Sequence, residues 1–185
     1  MFHTARYLLP TLLLAGCATS AEHDSHYSSQ ARQQTQAPLA QLVRQATARF
    51  KDVQVALAEG YAPFLGCVSG GNGGAMGIHY VNGALLDGTL EASRPEALMY
   101  EPKADGSLRL VGVEYLTFAE KWHAANPSAP VLEGHVMSYA GSPNRYGIPP
   151  HYQLHVWAWE HNPSGTFADW NPSVSCEAQD LARKR

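Results

Sequence analysis

The chain is short of charge, short of cysteine and without an unbroken apolar stretch long enough to cross a bilayer, and each shortage removes a class of function. Of its 185 residues 16% are charged, 45% are hydrophobic and the formal net charge is −3. That balance lacks the basic surface a DNA or RNA partner requires, and it holds too many apolar residues for wholesale disorder. Arg183, Lys184 and Arg185 are too few to make an electrostatic footprint and read as a solvated tail. Gly66, Gly70, Gly71, Gly73, Gly74 and Gly77 crowd one stretch, yet no lysine and hydroxyl residue close it. A phosphate-binding loop is thereby excluded, and a tight turn or a close approach of backbones is left. There is no HExxH, no nucleophile elbow around Ser69 or Ser164, and no closely spaced cysteine pair. The usual signatures of a helical zinc hydrolase, a serine hydrolase and a thiolate zinc site are therefore all missing.

What is present begins with Arg6, followed by Leu8, Leu9, Leu12, Leu13 and Leu14, an apolar run broken by Pro10 and Thr11. It is too short to span a membrane and suits an export signal. Leu14, Ala15, Gly16 and Cys17 come next and resemble the lipobox of bacterial lipoproteins. The resemblance implies a signal peptide over residues 1–16, palmitate on Cys17 and, because Ala18 is not an aspartate, an outer-membrane location facing the periplasm. An ordinary secretory signal cut near Ala15 is the alternative. Residues 17–38, rich in Ser, Gln, Ala and His, read as a lipidated flexible tether. Residues 39–178 are expected to form one globular domain and 179–185 a basic tail. The membrane is then a partner through the lipid, with a small ligand or an envelope protein as further partners. With Cys17 assigned to lipid, Cys67 and Cys176 remain as a pair in an oxidising compartment, where a disulfide is expected. Free thiols or thiolate ligands are the alternative.

Hydrophobic spacing predicts a long helix after Pro38, carried by Leu39, Leu42, Val43, Ala46, Phe50, Val53, Ala56 and Leu57 and stopped at Gly60. Residues 78–81, 97–100, 108–116 and 152–159 read as strands of a mostly antiparallel sheet. A second helix is expected over residues 118–125 and a long loop over 138–150. The fold class is therefore α+β: a single domain, a mostly antiparallel sheet with a long N-terminal helix and Gly/Pro-rich loops.

Residues 76–82, 95–100, 112–115 and 155–159, with Asn162, Pro163, Ser164, Gly165, Asn171 and Pro172, together resemble a family of uncharacterised secreted bacterial proteins over about residues 43–176. The resemblance brings no established activity. The residues themselves suggest one. Strand alternation places Gln153, His155, Trp157 and Trp159 on one face, opposite Leu154, Val156 and Ala158. Likewise Val111, Val113 and Tyr115 share a face opposite Leu110, Gly112, Glu114 and Leu116, and a carboxylate among apolar neighbours needs a partner. A pocket is expected where His79, Glu114 and His155 converge to hold one divalent metal ion, with His151 a fourth contributor if the chain bends there. Each histidine has a plain structural alternative, His23 and His26 are expected to be solvated, and Glu96 reads as a strand-entry or turn residue. Tyr80, Tyr100, Tyr115 and Trp157 offer an aromatic-lined cleft for a small ligand, or simply good sheet core. Three classes stay open: a binding or accessory envelope lipoprotein, a metal-dependent enzyme and a structural or interaction domain.

Overall fold

A computed structural model describes residues 37–183. The expected export signal, Cys17 and residues 17–36 of the expected tether, with His23 and His26, lie outside the described residues. Pro38 opens helix α1 (Pro38–Thr47), where its missing N–H has no intrahelical partner to lose, and Leu39, Ala40, Val43 and Thr47 form the buried stripe. The expected long helix is divided. After a single-turn 3₁₀ segment, Ala48–Lys51, Asp52 takes an extended conformation (φ −89°, ψ 109°) and its carboxylate accepts the Gln54 N–H at 2.9 Å. That cap starts a separate helix α2 (Val53–Ala58) in a new phase, which leaves Leu57 exposed rather than buried.

The chain continues through β1 (Tyr61–Ser69), β2 (Ala75–Asn82), β3 (Ala97–Pro102), β4 (Leu108–Phe118), α3 (Ala119–His123), a small hairpin of β5 (Val131–Leu132) and β6 (His135–Val136), β7 (Ser138–Ala140), β8 (His151–Val156) and α4 (Glu177–Arg183). The main sheet is antiparallel throughout, in the order β1-β2-β3-β4-β8-β7. The protein is thus a single α+β domain with N-terminal helices on a mostly antiparallel sheet. β1 contains Pro63 and Gly66, which suit an edge strand because one side of an edge needs no ladder hydrogen bonds. β7 occupies the first three residues of the segment expected to be all loop.

Alternation divides the sheet chemically. Ile78, Tyr80, Leu98, Tyr100, Val113, Tyr115, Leu154 and Val156 form one core with Leu39, Val43, Phe50 and Ala56 of the helical segments. The opposite face packs a second cluster of Val68, Met76, Met99, Val111, Trp157, Val174 and Cys176. Val111 belongs there because Met99 pairs with Gly112 and Tyr100 with Leu110, so Val111 is an unpaired bulge residue. It therefore leaves the face of Val113 and Tyr115, on which strict alternation puts it. Its carbonyl accepts the N–H groups of Trp159 and Glu160, and the Trp157 N–H is given to Thr166, so β8 stops at Val156. With the strand ended, Trp159 departs from the His155 face and packs against the helical core, its Nε1 donating to Thr47 Oγ1.

The C-terminal segment is stitched back across this second face. Cys67 and Cys176 are disulfide-bonded, with Cα atoms 5.4 Å apart across a sequence separation of 109. The Cys67 N–H donates to Gln179 Oε1 at 2.5 Å, which joins α4 to β1. The glycine-rich turn is a close approach of backbones: at Gly74 (φ +89°) a Cβ would lie 2.1 Å from the Asn171 carbonyl oxygen.

Candidate metal centre

On β2 the period of two turns Tyr80 toward the helical core and His79 away from it. On β4 it does the same for Tyr115 and Glu114, and on β8 for Val156 and His155. Glu114 pairs directly with His155, whereas His79 is separated from Glu114 by β3. There the residue opposite Glu114 is Ala97, whose methyl group leaves room for two long side chains to meet above the sheet. His79 Nε2 stands 3.3 Å from Glu114 Oε2, and His155 Nε2 stands 3.9 Å from Glu114 Oε1. The two imidazole rings meet edge to face at a centroid distance of 6.0 Å.

His79, Glu114 and His155 are all buried and form a cluster able to coordinate a divalent metal ion, with one donor atom from each lying within 4.8 Å of the others. Bonds of 2.0–2.1 Å in a tetrahedral arrangement place donors about 3.3 Å apart. The His79–Glu114 edge already has that length, and the other donor separations lie within 4.8 Å. His155 Nε2 is buried with no hydrogen-bond partner among the described residues, an expensive position for an imidazole nitrogen unless something binds it. Its other nitrogen, Nδ1, contacts Asp169 Oδ1 at 3.2 Å. A proton held on Nδ1 by that carboxylate would leave the Nε2 lone pair free for a metal, the arrangement by which outer carboxylates orient metal-binding imidazoles.

Asp169 is itself held on both sides. Trp157 Nε1 donates to the Ala168 carbonyl at 2.6 Å, Asn162 Nδ2 to the Trp170 carbonyl at 2.9 Å, and Gln153 hydrogen bonds to the Asp169 carboxylate. Burial pushes the His79 pKa down, against the pull of Glu114. Burial acts the same way on His155, but Glu114 and Asp169 together hold its pKa above the ordinary value. The His155 contact keeps the Asp169 carboxyl below the usual carboxylate range.

His151 is not one of the three clustered donors, but it lines the same cavity as His79 and Glu114. It lies in regular strand pairing with Phe118, not at a bend, and its nitrogens contact the Pro149 carbonyl at 2.9 Å and Gln153 Oε1 at 3.2 Å. Tyr80, Tyr100 and Tyr115 are not in the wall of the cavity beside the cluster. They fill the helical core, where the Tyr100 hydroxyl donates to the Phe50 carbonyl and that of Tyr115 to the Ala92 carbonyl. Trp157 is buried in the second cluster as the clamp on Ala168. Glu96 is more than a turn residue: it is buried, accepts the Leu116 N–H at 3.0 Å, and its pKa is pushed up to about 8 by burial, against that hydrogen bond, with Glu114 and Asp87 adding to the rise.

A cavity of about 140 Å³ adjoins the cluster, with His79 and Glu114 in its wall. The rest of the wall is largely apolar, with Phe64, Leu65 and Val68 from β1, Met76 and Val81 from β2, Leu86 beyond β2, Leu116 and Phe118 from β4, and Tyr146 and Ile148 from the 141–150 loop, and it also includes His151 at the start of β8. Asn144 braces that loop, its Nδ2 donating to the carbonyls of Gly141 and Ile148 and its Oδ1 accepting the Tyr146 N–H. Asp169 and the loop residues carry no periodic signal in the sequence; only the turn chemistry of Asn162 and Asn171 marks the segment that holds Asp169. Comparison of the chain with family models, curated proteins and solved structures finds no match.

Proposed function

We propose that this protein is a divalent-metal-binding domain of the bacterial envelope, anchored by lipid on Cys17, in which His79, Glu114 and His155 hold one ion. The observation that carries the metal reading is the buried His155 Nε2, unpartnered among the described residues and oriented by Asp169 through the opposite ring nitrogen. Two imidazoles and one carboxylate suit zinc or another divalent transition ion better than calcium or magnesium, which favour six or more oxygen ligands. The lipobox-like Leu14, Ala15, Gly16 and Cys17 support the anchor, and the disulfide suits an oxidising compartment. Among the described residues no helix is long and apolar enough to cross a membrane.

Elemental analysis of untagged protein recovered from the envelope is expected to find one transition ion per chain. Calorimetric titration of metal-stripped protein is expected to give one site, lost in His155→Ala and His79→Ala. Folded wild-type protein that takes up no stoichiometric ion removes the metal reading. The anchor is tested separately: radiolabelled palmitate is expected to enter the wild type and not Cys17→Ala, and an unlabelled wild type removes it. A metal-dependent reaction is the second reading, favoured by three protein donors beside a cavity, since catalytic sites keep a coordination position open.

A further inference from the structure

The cavity beside the cluster is built for an occupant of a particular kind. Its volume, about 140 Å³, is on the scale at which an apolar cavity accepts a single six-membered ring. Its mouth is apolar as well: Phe64 and Leu65 on β1 are exposed, and Leu65 has a left-handed backbone (φ +60°), uncommon for a branched residue. β1 is irregular between Phe64 and Val68, and that irregularity leaves Phe64, Leu65 and Val68 along the cavity wall. Backbone strain of this kind gathers at ligand sites.

The polar side chains in the wall are His79, Glu114, Tyr146 and His151, and the nitrogens of His151 are taken up by the Pro149 carbonyl and Gln153 Oε1. His79 and Glu114 form the wall nearest the proposed ion, whereas His155 lies behind them and does not line the cavity. An ion held by these residues would border the largely apolar space through His79 and Glu114. A divalent ion with one carboxylate and two neutral imidazoles carries a net single positive charge, of which the partly exposed Asp169 behind His155 offsets a part and the apolar wall none. A monoanion neutralises it. The Tyr146 hydroxyl, also on the cavity wall, has Met76 Sδ as its hydrogen-bond partner at 3.5 Å, a weak acceptor that an anionic oxygen readily replaces.

We propose that the cavity takes a small apolar molecule carrying one carboxylate, whose charged end completes the coordination held by His79, Glu114 and His155 and accepts a hydrogen bond from Tyr146. The inference rests on the metal reading, and the test separates the two.

The whole chain, purified without a tag, is loaded with Co²⁺, whose visible bands report occupancy and coordination. Benzoate is then added, with acetate as the same charge without a ring and benzyl alcohol as a ring without the charge. Benzoate is expected to shift the cobalt bands and to bind at least about tenfold more tightly than either control. It is also expected to bind at least about tenfold more tightly to the loaded than to the metal-free protein. Tyr146→Phe is expected to weaken it by about two- to tenfold. Ile148→Trp, which fills the cavity from the loop, is expected to abolish benzoate binding while the cobalt bands persist. Cobalt bands unmoved by benzoate, or acetate binding as tightly as benzoate, overturn the ligand assignment and leave the metal reading standing. Equal benzoate affinity with and without cobalt also overturns it, since the cavity would then take the ring without the ion. Absence of cobalt bands in folded protein removes the metal reading and this inference with it.

Discussion

Asp169 touches none of the atoms expected to hold the ion, and it acts through the proton it keeps on His155 Nδ1. Asp169→Ala is expected to lower zinc affinity about tenfold to a hundredfold, with the disulfide and the cooperative melt retained. Calorimetric titration checks this, and unchanged affinity would remove Asp169 from the site. Glu96 makes a second residue-level prediction. Its pKa in the folded protein, about 8, lies above the ordinary 4.5, so between those values the folded state binds the extra proton. Its contribution to stability is fully present below pH 4.5, falls as the pH rises and is lost above about 8, a change on the order of a few kcal/mol. Glu96→Gln, which can still accept the Leu116 N–H, is expected to flatten that decline and to be the more stable form at pH 8. Urea denaturation of metal-free protein at pH 5 and pH 8 decides it, since equal pH dependence in both proteins contradicts the assignment.

At the scale of elements, small departures from regularity do most of the positioning. Asp52 divides the N-terminal helix with a side-chain cap, and Asp52→Ala is expected to cost about 1 kcal/mol in chemical denaturation. Gly112, next to the bulge, lets β3 and β8 close on β4: an added Cβ would lie 2.7 Å from both Met99 Cε and the Val156 carbonyl oxygen. Because that oxygen belongs to the backbone and cannot swing aside, Gly112→Ala is expected to destabilise by about 1–3 kcal/mol. A melt equal to wild type would show that the strands have slack. These same features mark where the sequence was readable. The periods of two on β2, β4 and β8 put His79, Glu114 and His155 on faces opposite Tyr80, Tyr115 and Val156, and three of four metal candidates meet on that account. His151 is not among the three donors, because a regular strand carries it away from His155, but it does reach the wall of the adjoining cavity. A one-residue bulge leaves no mark in composition, so the turn of Val111 to the other face was illegible, as was the strand irregularity that brings Leu65 to the cavity. The tyrosines were ambiguous for a different reason: aromatic side chains suit a cleft and a core equally, and only the placement of the helices decides between them.

Across the whole molecule, one covalent bond ties the first strand to the last helical segment. Replacing both Cys67 and Cys176 by alanine is expected to cost about 2–5 kcal/mol, because the bond closes most of the domain into a loop. A loss well below that range would mean that Glu101, whose carboxylate accepts the Ser175 N–H at 3.1 Å, and Gln179 already hold the segment in place. The three donors lie on β2, β4 and β8, far apart along the chain and brought to one point only by the completed sheet. On the proposed metal reading, capture is therefore a late event: an unfolded chain has the ligands but no site, and an ion would arrive after the strands have paired. On the proposed route of export, a chain that leaves the cytoplasm unfolded takes its ion from the compartment where folding finishes, so the metal it carries is a record of where it folded.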